Sequence, residues 1–167
     1  CGRPVAHLER AFNDPLKHRA RLATLRRAVR SPDIRIPLRE NIREVALATF
    51  RKMIADPGSD GTAGRIEAAR LMGEVSDPEF PGYLSKLIRE DPSILVIREA
   101  LAAAGKKKEE TLLRDVITRL GCPKTKGWAH QALIEYGEAA VEPLREALLD
   151  ANVSRDIRLH IPPTLSQ

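Results

Sequence analysis

Four histidines, two cysteines and one tryptophan carry most of the reactive chemistry open to this 167-residue chain. His7, His18, His130 and His160 have no Cys, Asp, Glu or His partner at the spacing of a recognisable metal site. They read as exposed or helix-end histidines, with His130 placed three residues into a helix where it can meet a partner. Cys122 precedes Pro123 and is followed by Lys124 and Lys126. Cations of that kind favour a thiolate, yet no Asp/His arrangement completes a nucleophilic centre, so Cys122 reads as a small turn-flanking residue. Gly105-Lys106-Lys107-Lys108 has the look of a phosphate loop, but a Walker loop needs glycine where Ala100 stands and a strand before it. The lysines instead solvate a turn, after which Glu109 and Glu110 open a helix at its positive dipole end. Trp128, in register with Val96, reads as core. Tyr136 reads as core too, with its hydroxyl near the surface. These residue types imply no catalytic site, no metal and no cofactor.

The elements that position these residues follow from composition and spacing. The chain is 43% hydrophobic and only 4% aromatic, and its apolar residues are mainly Ala, Leu, Ile and Val, which suits packed helices better than a β-sandwich. No apolar run approaches the length of a membrane span. The net charge of +5 is uneven. Residues 1–70 hold 15 Lys+Arg against 8 Asp+Glu, and residues 71–167 hold 13 against 15. Arg19, Arg26, Arg30 and Arg43 form a candidate basic patch for nucleic-acid phosphates. The plainer alternative, favoured here, is a solvated helix face with Arg stems over apolar surface. Free Cys1 and Cys122 fit a reducing cytosol. The start at Cys1 and an ending that looks like a cut helix give the chain the look of part of something longer.

Gly73, Gly105 and Gly137 stand 32 residues apart, and each closes a similar segment. Ala68, Ala100 and Ala132 form one row, and Ala69, Leu101 and Leu133 the next. Met72, Ala104 and Tyr136 precede the glycines, and all three rows share a helix face. Each glycine is expected to be a left-handed helix stop. Leu84, Val116 and Leu148 repeat at the same interval in a second amphipathic helix, over 80–90, 109–120 and 139–149. Asp-Pro pairs at Asp14, Asp56, Asp77 and Asp91 mark helix starts, except that Asp56-Pro57 leads into a loop through Gly58-Ser59-Asp60-Gly61. Segments 5–12, 16–29 and 40–55 also read as helices, with an irregular linker at 31–37. Ser31-x-Asp33-Ile34-Arg35 returns as Ser154-x-Asp156-Ile157-Arg158. No segment alternates with period two, so no strand is expected.

The spaced R-x-x-A-x-x-x-x-G helices, clearest from Arg65 to Gly73 and from Trp128 to Gly137, together with the segment 138–150 that follows, resemble HEAT-type repeats. The likeness is to the short bacterial kind related to phycobilin-lyase repeats. It covers residues from about 62 to 167 well and 1–61 loosely, with Ala104 and Pro162-Pro163 as departures. The resemblance implies an all-α solenoid of stacked antiparallel helix pairs, with second helices lining a concave face and no catalytic residues. Glu67, Arg70, Arg98, Glu99, His130 and Gln131, polar positions assigned to those second helices, are the candidate partner contacts. Their mixed signs suit a protein surface better than a phosphate track. The expected function is a non-enzymatic interaction scaffold for a protein partner or other domains of a longer chain. A nucleic-acid module built on the first 70 residues is one alternative. Another is a soluble regulatory domain of a nucleotide-transporter-like membrane protein, since such arrays occur there.

Overall fold

The computed structural model of the chain describes residues 44, 47, 48, 51–55 and 59–166. The chain divides into two compact units, Cys1–Ala55 and Asp56–Gln167. In the first unit all the described residues are helical, and Leu47 and Met53 are buried. They fall within the helix expected over 40–55. The helices expected at 5–12 and 16–29, the linker at 31–37 and the patch of Arg19, Arg26, Arg30 and Arg43 lie outside the described residues.

The second unit is all-helical, and its described residues include no strand. Its helices are α1 (Ser59–Glu74), α2 (Phe80–Glu90), α3 (Ile94–Lys107), α4 (Glu110–Thr118), α5 (Lys126–Tyr136), α6 (Val141–Leu149) and α7 (Arg155–Leu165). Short 3-10 turns at Arg119–Gly121 and Gly137–Ala140 extend α4 and precede α6. Ser59, Asp60 and Gly61 are thus helical, where a loop was expected.

Spacing explains the buried faces. Phe80, Leu84, Leu87 and Ile88 form one stripe of α2, and Leu112, Leu113, Val116 and Ile117 one stripe of α4. The stripe of α3 is wider, spanning Val96, Ile97, Ala100, Leu101, Ala103 and Ala104, because that helix packs on α1, α2 and α5 together. Even-numbered helices pack on one another as well, α2 on α4 and α4 on α6, while α7 packs on α6 and the first 3-10 turn. All nine members of the three Ala/Leu/Met/Tyr rows are buried. Removing each larger member from water contributes about 1.5–3 kcal/mol.

Asp14-Pro15 and Asp56-Pro57 lie outside the described residues, and the other two Asp-Pro pairs precede their helices by two residues or more. Asp77 Oδ1 accepts the Glu79 N–H at 3.0 Å and Asp91 Oδ1 the Ser93 N–H at 2.8 Å. Both are local turns of the Asx kind, and helix begins only at Phe80 and Ile94. Ser154, from the repeated S-x-D-I-R pattern, sits at the N-cap of α7 and accepts from Ile157 N.

The glycines play a different part from the expected one. Gly73 and Gly105 lie inside α1 and α3, and the left-handed stop after Gly105 is Lys108, at φ 55°. A Cβ at Gly73 would stand 3.0 Å from Ala103 Cβ, and one at Gly105 would stand 3.1 Å from Ala132 Cα. The absent side chains let α1 approach α3 and α3 approach α5. Only Gly137 among the three has a positive φ, at 63°, and its ψ of −133° places it outside the left-handed helical region, so none of the three is the expected left-handed stop.

Tyr136 is buried, and its hydroxyl donates to the Glu109 carbonyl at 2.9 Å, joining α5 to the start of α4. Burial, then the nearby Glu109 carboxylate, push its phenol pKa upward. An unfolded chain loses this proton near pH 10 while the folded one keeps it, so the stability it gives is lost as pH rises beyond that value. Tyr136→Phe is expected to cost about 1 kcal/mol at neutral pH and to unfold at higher pH than the parent. Circular dichroism across pH 8–12 measures both effects.

Candidate interaction face

The six candidate contacts fall on α1 (Glu67, Arg70), α3 (Arg98, Glu99) and α5 (His130, Gln131). These are the glycine-bearing helices, the first of each pair, not the second helices to which they were assigned. Their polar positions point away from α2, α4 and α6 because the Ala/Leu rows occupy the opposite side of each helix.

Four of the six meet. Glu99 Oε2 accepts from Arg70 Nε at 2.8 Å, across the α1–α3 contact. Glu99 Oε1 accepts from Arg98 Nη2 at 2.7 Å and Nε at 3.0 Å. Arg70 Nη1 also donates to Glu67 Oε1 at 3.0 Å. The chain of contacts continues to α5, where the Arg98 guanidinium lies 6.0 Å from the centre of the Trp128 ring. At a partly exposed site such a cation–π contact is worth about 0.5–1 kcal/mol. Trp128 is therefore only half-buried, although Val96, in the same register, is fully buried.

Hydrogen bonding from Arg70, with help from Arg98, holds the Glu99 carboxyl below its usual range, and the same bond raises the Arg70 guanidinium. A depressed carboxylate contributes stability above its unfolded pKa of about 4.3 and loses it as pH falls through the folded value. Glu99→Gln is expected to cost about 1 kcal/mol or less at pH 7, and the difference from the parent should shrink as pH falls through the acid range. Urea titration across a pH series checks this.

The other two candidates stand apart from the ladder. His130 Nδ1 lies 2.9 Å from Thr164 Oγ1, whose own proton goes to the His160 carbonyl at 2.8 Å. Thr164 has one proton to give, so Nδ1–H is the donor and His130 ties α5 to α7. Gln131 is exposed beside it. Spacing by itself did not single out the apolar members of the face. Leu95, Ile134 and Leu159 are 45%, 37% and 58% exposed, and Ala102 is exposed one turn beyond Arg98. Glu67, Glu99 and Gln131 share one register of 32 residues, and Arg70, Ala102 and Ile134 another. In these two registers the face therefore changes from ion-paired on α1 and α3 to uncharged on α5, with the Glu135 carboxylate one step away against Gly105 of α3.

The remaining sequence candidates lie away from this face or outside the described residues. Cys122 is half-buried, and its thiol is pushed below its usual range first by the Thr125 hydroxyl and then by backbone N–H groups, with Arg119 a minor cause. The side-chain charges of Lys124 and Lys126 are not among the causes. Gly105 to Lys107 are the end of α3, and Lys107 Nζ donates to Ser76 Oγ at 3.0 Å. The cleft beside Met72, Phe80, Leu84 and Lys107 encloses only about 10 Å³, about the room of a single water and far below ordinary small-molecule pockets. Among the described residues no group of three or more His, Cys, Asp or Glu could hold a metal ion, and no helix is long and apolar enough to cross a membrane. His7 and His18 lie outside the described residues. Compared with known proteins, the chain matches no family model, no curated protein and no solved structure.

Proposed function

We propose that the second unit is a non-enzymatic protein-interaction module, a HEAT-like solenoid segment that receives a partner on the face of α1, α3 and α5. The observation that carries this reading is the exposed ladder of Glu67, Arg70, Glu99 and Arg98 running into Trp128, with uncovered Leu95 and Ile134 alongside. Cross-helix contacts fix these side chains in place, and a pre-ordered polar rim around apolar positions is what a protein interface needs. The glycine-mediated helix crossings and the 32-residue register support a stack in which the same face continues from pair to pair. The partner is another protein or another domain of a longer chain, met in the cytosol.

The test compares Ile134→Asp with Glu142→Arg, an exposed change on α6. Proteins retained by the immobilised chain from an extract of the cells that make it are to be lost with Ile134→Asp and kept with Glu142→Arg. Equal retention by both variants rules the face out. The excess of arginine in residues 1–70 supports a second reading, nucleic-acid binding by that Arg-rich part of the chain. Its mark is binding that weakens steeply with salt.

A further inference from the structure

We infer that the partner segment received on the α1–α3–α5 face is acidic, its carboxylates taken by Arg70 and Arg98 beside Trp128; this rests on the interaction reading above. By formal count the ladder is neutral, with Glu67 and Glu99 against two arginines. Its accessible surface is not. The Glu99 side chain is 14% exposed and that of Glu67 29%, while those of Arg70 and Arg98 are 45% and 41% exposed. One sequestered carboxylate bridges two guanidinium groups, so a partner meets mainly the cations.

The donors are also unspent. A guanidinium offers five N–H groups in a fixed fork. Arg70 uses Nε and Nη1, and Arg98 uses Nε and Nη2. Arg70 Nη2 and Arg98 Nη1 make no hydrogen bond among the described residues. Each fork is anchored through Nε, so a carboxylate arrives at a side chain already ordered and little further entropy is lost. Ala102, Gln131 and Ile134 beside them bring no negative charge, and with Leu95 they offer apolar contact. Two adjacent cations flanked by apolar side chains fit a polypeptide with one or two carboxylates between apolar residues. A nucleic acid needs cations strung along its backbone.

The test is fluorescence anisotropy with the full chain at low salt. Three labelled probes are used: a Glu/Leu peptide, its Gln/Leu counterpart, and an oligothymidylate of matching charge. The Glu/Leu peptide is expected to bind best. Arg70→Gln, Arg98→Gln and Ala102→Glu should each weaken it at least about fivefold, and Ala102→Lys should tighten it. Ala102 makes no ladder contact, so its two variants test charge without dismantling the ion pairs. The inference is overturned if these variants leave the affinity unchanged, if the oligothymidylate binds more tightly through Arg98, or if the loss follows only replacement of Arg19, Arg26, Arg30 and Arg43. Equal binding of both peptides, abolished by Ile134→Asp, overturns the acidic partner and leaves the interaction reading standing. Binding of neither peptide, together with equal retention of extract proteins by Ile134→Asp and Glu142→Arg, overturns both.

Discussion

Arg65→Ala is expected to lower the unfolding free energy by about 3–5 kcal/mol, the range for breaking one side of a buried ion pair. Arg65 Nε donates to Asp91 Oδ2 at 2.7 Å and Nη2 to Asp91 Oδ1 at 3.4 Å. The two side chains are only 2% and 3% exposed. The pair joins α1 to the turn between α2 and α3, 26 residues away. Without the guanidinium, the Asp91 carboxylate stays buried with the Ser93 N–H as its remaining hydrogen-bond donor among the described residues. Asp91→Ala should also destabilise, because it removes the carboxylate that accepts two of the guanidinium's hydrogen bonds. Arg65→Met combined with Asp91→Ala should cost less than the two single losses added together, because each single loss already removes the same pair of contacts. Denaturant titration of the four proteins gives the coupling. A loss below about 1 kcal/mol for Arg65→Ala, the scale of an exposed pair, would contradict the burial of this contact.

Gly105→Leu is expected to cost about 3 kcal/mol, at the upper end for overpacking a well-filled contact. The first added carbon alone would stand 2.7 Å from Glu135 Oε2, 3.1 Å from Ala132 Cα and 3.3 Å from Ala132 O. The Glu135 side chain can swing away, but the Ala132 backbone moves only if α5 moves. That separation would also pull Trp128 from Arg98, so the face should lose its partner along with its stability. Gly82 is the control. It lies in α2, and a Cβ there meets nothing within 4 Å, so Gly82→Ala should stabilise by up to about 1 kcal/mol through helix propensity. Thermal melts compare the two. Equal effects at both positions would mean that the α3–α5 approach is not what Gly105 serves.

The helices and their buried rows were legible because one period recurs. Ala68, Ala100 and Ala132 announce a stripe, and Phe80 to Glu90 was read with the bounds it has. The role of the glycines was not legible, since the same residue serves a left-handed stop and a close helix approach, and only the neighbouring helix decides between them. At Gly105 the neighbour is Ala132, and at Gly137 nothing stands near. Arg65 did carry a signal. It occupies a row continued by Ile97, Ala129 and Ile161, all buried, and a charge in an apolar row needs a buried partner. That the partner is Asp91 depends on how the turn after α2 folds back, which no local spacing states. Of the candidate contacts, Glu67 with Arg70 is a local i, i+3 pair readable from spacing. The Arg70–Glu99 bond exists only because α1 and α3 cross at Gly73. The exposure of Ile134 and the placement of Trp128 follow from the same crossings, so they too lay beyond a single helix wheel.

Reception of a partner on the α1–α3–α5 face can be tested by photo-crosslinking from single positions in living cells, with a photoreactive residue placed in turn at Ala102, Ile134, Arg114 and Glu142. All four are exposed, the first two on α3 and α5 and the last two on α4 and α6. Discrete adducts are expected from Ala102 and Ile134 and none from Arg114 or Glu142. Adducts confined to Arg114 and Glu142, or equal at all four positions, would contradict it.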